Sequence, residues 1–215
     1  MTNKYTLTGE EYTQLEKDAL TLLIDYGFVE FPIDPFKLAK AAYDVEFVKY
    51  SSISKKKLNK IREYDATKDG FTVTHHMSDG SIRYSIFYDD SKNIYRQRYT
   101  IGHEIKHIYY GEEDTIKKDE DAAEYFSKVL LAPKCLIIIN KIRTKEEIVE
   151  KYGLSHEAAQ NHLRGINNRR ATFGEELFDY EKEFLNDMKT ILKKKWLQDY
   201  SFSYYEKIKT PYYCE

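Results

Sequence analysis

The chain has 215 residues, 33% of them charged, and a formal net charge of −2. That length suits one substantial core with an appendage, and the near-neutral balance supplies neither a nucleic-acid footprint nor an acidic tail. With 20 tyrosines and 11 phenylalanines beside the aliphatic residues, the chain can bury a core, so disorder is not the expectation.

The first residues, MTNKYTLTGEEYTQLEKDA, contain no apolar signal core, and nothing later approaches a membrane span. Helical spacing runs over 9–26, where Leu15, Ala19, Leu22 and Leu23 share a face and Gly27 is a stop. Asp34 is a good N-cap and Pro35 fits a first helical position, so a short helix is expected over 36–42, then an extended stretch over 45–50. A lysine-rich connection, 55–60, leads into two alternating runs, 71–77 and 82–88. Ser78-Asp79-Gly80 between them signals a hairpin. Further helices are expected over 95–109, 118–131, 145–152, 155–166 and 175–198, followed by a tyrosine-rich tail, 199–215, that either packs on the domain or meets a partner. The two cysteines, Cys135 and Cys214, make no disulfide framework and read as reduced thiols of a cytoplasmic protein, with Cys135 buried and inert.

The stretch "RQRYTIGHEIKHIYYGEE" holds the chemistry. On a helix, His103 and His107 differ by roughly 40° in azimuth and about 6 Å in height, so both imidazoles can address one ion. Zinc suits such nitrogen ligands plus a carboxylate, with a fourth position left for water. Glu104 lies about 100° further round than His103, badly placed as a ligand but able to act as general base toward that water. Ile101, Ile105 and Ile108 occupy the opposite face, available to a core. A third ligand must come from elsewhere. Glu120 and Glu124 stand one turn apart on the next helix, and the chemistry leaves both open.

The sequence resembles the ImmA/IrrE-type metallopeptidases over residues 11–166, on "YGFVEFPIDPFKLAKA", the hairpin, "YRQRYTIGHEIKH" and "EDAAEYFSKVLLAP". The resemblance implies Glu120 as the third ligand. Glu124 stands where relatives usually carry Asn, which puts a second carboxylate beside the site, in the shell around the metal or as an alternative ligand. Ala132 stands where they carry Met. The fold implied by the resemblance is an α+β, zincin-like metalloprotease domain over 1–170, with a small antiparallel sheet packed on helices, and a helical extension with tail over 171–215. The implied activity is that of a cytoplasmic endopeptidase with one Zn2+ per chain that cuts a transcriptional repressor encoded nearby, in a phage, mobile element or stress regulon. The alternative is a non-catalytic metal-containing sensor or DNA-associated regulator. The pair at 145–166 resembles a helix-turn-helix, but without a basic footprint it reads as structural, and direct DNA binding is not expected. His75 and His76 must face opposite sides of their strand. His156 and His162 read as solvated. An extended substrate is expected to pair with the hairpin edge.

Overall fold

The computed structural model describes residues 7–64, 69–111 and 117–209. Helix α1 (Gly9–Asp25) opens with a capping box: Thr8 and Glu11 exchange side-chain-to-backbone hydrogen bonds of 3.2 and 2.8 Å. Its apolar face, including Leu15, Ala19 and Leu23, is buried. Helix α2 (Pro35–Ala42) starts as expected, with the Asp34 carboxylate accepting from the Phe36 and Lys37 amides.

The sheet has the order β1-β3-β2. Strands β2 (Gly70–His76) and β3 (Ile82–Tyr88) form the expected hairpin, in register from Gly70↔Tyr88 to His76↔Ile82. Strand β1 (Val45–Lys49) adds on the far side of β3, parallel to it, so the small sheet is mixed rather than antiparallel throughout as expected, and β3 is central. Helix α3 (Lys55–Tyr64) occupies much of the crossover from β1. The sequence suggested only a connection there, because its lysines carry no apolar period; straight-chain residues nonetheless lose little freedom in a helix.

Helix α4 (Ile94–Tyr110) carries the histidine motif. It is capped by Asn93, which accepts from the Arg96 amide at 2.9 Å, and ends at Gly111 in the left-handed region, φ 64°. Ile101, Ile105 and Ile108 are buried in the main core with Ile86 and Tyr88 of β3. Helix α5 (Lys117–Leu131) packs along α4 at close range. A Cβ at Gly102 would stand 2.6 Å from Ser127 Oγ, so the helices meet where the motif begins. Arg98 fastens the other flank of α4 by donating to the carbonyls of Gly153 (2.6 Å), Tyr152 (3.0 Å) and Ile33 (2.7 Å). A guanidinium at a helix C-terminus is favourable, and here it meets the end of α7 (Lys145–Tyr152). Gly153 is required twice over: its φ is 66°, and a Cβ would fall 1.8 Å from Arg98 Nη1.

The apolar run after Pro133 forms a short helix, α6 (Lys134–Ile139), that the sequence pattern does not announce. Cys135 within it is buried, and desolvation pushes its thiol pKa up, consistent with an inert group. Helix α8 (His156–Phe173) runs beyond the expected end at 166, so the boundary placed at 170 falls inside it. The cause is tertiary: Arg169 is buried and makes a bidentate pair with Glu181, 2.6 Å on each arm, at the start of α9 (Asp179–Lys209). Helix α9 lies against α1, where Glu16 accepts from Lys134 (2.7 Å), Tyr180 (2.7 Å) and Tyr125. Residues 199–209 of the expected tail continue this helix, while 210–215, with Cys214, lie outside the described residues.

His162 is corrected by the structure. It is 4% exposed rather than solvated, with Nε2 2.7 Å from the Ala132 carbonyl. Its position on α8 faces α6 and the end of α5, which the helical period alone does not reveal.

Candidate metal centre

The α4 register places His103 and His107 one turn apart, with ring centroids 4.9 Å from each other. The side chains are 16% and 7% exposed. Glu120, in the first turn of α5, reaches both: one carboxylate oxygen is 3.1 Å from His103 Nε2 and the other is 3.7 Å from His107 Nε2. One ligand atom from each of the three lies within 4.8 Å of the others, the one such group among the described residues. Atoms bound to a tetrahedral zinc at about 2.0–2.2 Å stand roughly 3.3–3.6 Å apart. The carboxylate–imidazole separations of 3.1 and 3.7 Å lie near that spacing. The group as a whole, spread over up to 4.8 Å, would draw together around such an ion, whose preference for two nitrogens and a carboxylate the donor set meets.

Packing fixes where Glu120 begins. Lys106, the buried lysine inside the motif, donates to the Asp119 carbonyl at 3.3 Å and so ties α4 to the first turn of α5. The Gly102–Ser127 approach holds the two helices together nearby.

Glu124 stands apart from this group. Its side chain is 58% exposed and lies 3.9 Å from Lys128 Nζ, while its backbone carbonyl accepts from the Tyr99 hydroxyl at 3.1 Å. One turn along α5 carries the carboxylate away from the imidazoles and into solvent.

Glu104 is 4% exposed, and its Oε2 accepts from the Thr72 hydroxyl of β2 at 2.8 Å. The contact joins helix to sheet beside the two histidines. Thr72, Thr74 and His76, on one side of β2, line a cleft of ≈ 190 Å³ with Ile82, Tyr84 and His107. His76 therefore faces the histidine helix, and His75 faces away, with Nε2 2.8 Å from Ser85 Oγ, which itself donates to Glu46 at 2.7 Å. Sequence reasoning missed Thr72. The alternation of β2 put it on the same face as His76, but nothing local said which face met α4.

Chemically, the arrangement offers two imidazoles and a carboxylate for one cation, a second carboxylate held beside them without joining them, and a strand edge next to the cleft. No helix among the described residues is long and apolar enough to cross a membrane. Residues 58–164 match a peptidase family described as the IrrE N-terminal-like domain. No curated protein matches the chain.

Proposed function

The chain belongs, through residues 58–164, to the IrrE N-terminal-like peptidase family, and from that membership we propose that it is a zinc-dependent endopeptidase. The observation that carries this reading is the convergence of His103, His107 and Glu120 within 4.8 Å, with the Glu104 carboxylate held beside them by Thr72. His103, His107 and Glu120 would hold one zinc per chain. When bound, that ion would supply Lewis acidity toward a peptide carbonyl and a water molecule. Glu104 takes the proton from the attacking water and delivers it to the departing amine, as a general base that becomes a general acid. Burial of Glu104 keeps bulk water from competing for that proton.

An extended peptide would seat on β2, which has β3 as its neighbour on one side and, among the described residues, none on the other. As substrate we propose a helix-turn-helix repressor encoded close to this chain, which would place the reaction in the cytoplasm; this rests on the resemblance to regulatory peptidases rather than on any feature of the cleft. The α7–α8 pair has a structural part in this reading, since Arg98 uses the end of α7 to anchor the motif helix.

The test is turnover. Purified protein carrying one equivalent of zinc, mixed with the neighbouring repressor, should cut it at a defined bond, and a chelator should stop the reaction. Zinc-loaded protein that binds the repressor and leaves it intact would make the chain a metal-containing sensor instead.

A further inference from the structure

One hydroxyl connects the substrate-facing edge of the sheet to the motif glutamate. Thr72 lies opposite Ile86 in the hairpin register, and Ile86 is fully buried, so the strand position of Thr72 is set by the core. Its Oγ1 donates to Glu104 Oε2 at 2.8 Å. The last torsion of a glutamate side chain has broad, weakly defined minima, so a carboxylate without a directional partner samples many orientations. A donor fixed to a strand removes that freedom by engaging one oxygen, and leaves Oε1 to receive a proton. A β-branched residue suits a strand and also has a restricted χ1, which aims the hydroxyl.

We propose that Thr72 is a positioning residue that orients the Glu104 carboxylate for proton transfer and links that orientation to strand β2, on which an extended peptide would seat. The proposal rests on the peptidase reading of the site. Thr72 touches neither the scissile bond nor the metal ligands in this role. It acts through Glu104.

The test compares the zinc-loaded parent with Thr72→Val and Thr72→Ser, with Thr72→Ala as a second hydroxyl-free variant should Val disturb folding. The probe is a peptide that the parent cuts, chosen from a random-sequence library. Loss of a hydrogen bond to a charged group should lower kcat on the order of tenfold to a hundredfold in the hydroxyl-free variants. KM and zinc content should stay at parental values, and Thr72→Ser should recover most of kcat. Parental kcat in the hydroxyl-free variants, a defect confined to KM, or a Ser variant as impaired as Val would each overturn the proposal. Crystal structures give a readout independent of turnover. The Glu104 carboxylate should keep its orientation in the parent and Thr72→Ser and turn away in the hydroxyl-free variants. A carboxylate that stays fixed without the hydroxyl overturns the proposal whatever the activity. If the parent and Glu104→Gln are equally inert toward every peptide and the repressor, the peptidase reading fails, while the crystallographic comparison still decides the role of Thr72.

Discussion

Glu104, Glu120 and Glu124 carry the same functional group, and their surroundings divide their work. Glu120 meets two imidazoles, Glu104 meets a strand hydroxyl, and Glu124 meets Lys128 and solvent. Glu104→Gln preserves shape and removes the proposed base, so it should retain one zinc by elemental analysis and lower kcat by about 10²–10⁴-fold, the usual contribution of a positioned base. Metal loss in that variant would make Glu104 a ligand. Glu120→Ala should cost zinc affinity at least as heavily as His107→Ala, because each removes one of the three proposed protein ligands. Glu124→Asn should leave zinc affinity unchanged in a competition titration. The reverse order of the two glutamates would put the register of α5 wrong by one turn.

The site is built between elements, and its precision depends on how closely α4 and α5 approach. The Cβ added by Gly102→Ala would stand 2.6 Å from Ser127 Oγ and 3.4 Å from Ser127 Cβ, so the hydroxyl must turn and give up its bond to the Tyr99 carbonyl, or the helices must shift, where one carries His103 and the other leads to Glu120. Overpacking of this kind costs about 1–3 kcal/mol, and zinc affinity should fall with stability. Removing the obstructing hydroxyl by Ser127→Ala in the same chain should recover part of both losses, read from urea unfolding and zinc titration. Helices α8 and α9 present a different case. Arg169→Ala would leave Glu181, 1% exposed, as a buried unpaired carboxylate, at a cost of about 3–5 kcal/mol in denaturant unfolding. Replacing both partners with apolar residues should be milder than the single change. An equal loss in single and double variants would show that the ion pair is not what docks α9.

For the whole molecule, two buried groups make stability depend on pH. Burial, with the nearby Lys134 and Lys128 charges, pushes the His162 pKa down to about 3, so it stays neutral in the fold. In the unfolded chain it protonates near pH 6.5. Between those values the unfolded state binds the extra proton, so unfolding free energy falls as pH drops, by about 1.4 kcal/mol per pH unit, and is fully retained above 6.5. Glu16 acts in the same direction. Burial alone would raise its pKa, but Lys134 and the Tyr125 and Tyr180 hydroxyls outweigh that and lower it. Its stabilisation is present above the ordinary carboxylate range and is lost as pH falls below it. Equilibrium unfolding from pH 7 to 4.5 should slope steeply for the parent and more shallowly for His162→Gln. Comparing the two removes the contribution of metal release, which is common to both.

The features legible in the sequence are those with short-range causes. The i, i+4 spacing of His103 and His107 places two imidazoles on one face wherever that helix sits, and the neighbouring Glu104 must then point about 100° away. Asp34 before Pro35 starts α2 through its own side chain, and Ser78-Asp79-Gly80 reverses the chain between two alternating runs, so these also needed no distant partner. Such local signals place the individual helices and the hairpin, while the α+β, zincin-like arrangement is what the family resemblance implies. The remaining features depend on contacts between segments far apart in the chain. Glu120 and Glu124 are equivalent by helical period, and only the packing of α5 on α4 brings one of them to the imidazoles; without it, the family resemblance alone separated them. The parallel pairing of β1 with β3 joins residues 39 apart, from Val45↔Tyr84 onward, and an extended run does not specify its neighbour. Alternation put Thr72 on one face of β2, but the position of α4 decided that this face meets Glu104. His162 shows the same limit: its helical position was readable, whereas its burial depends on the Ala132 carbonyl, 30 residues earlier.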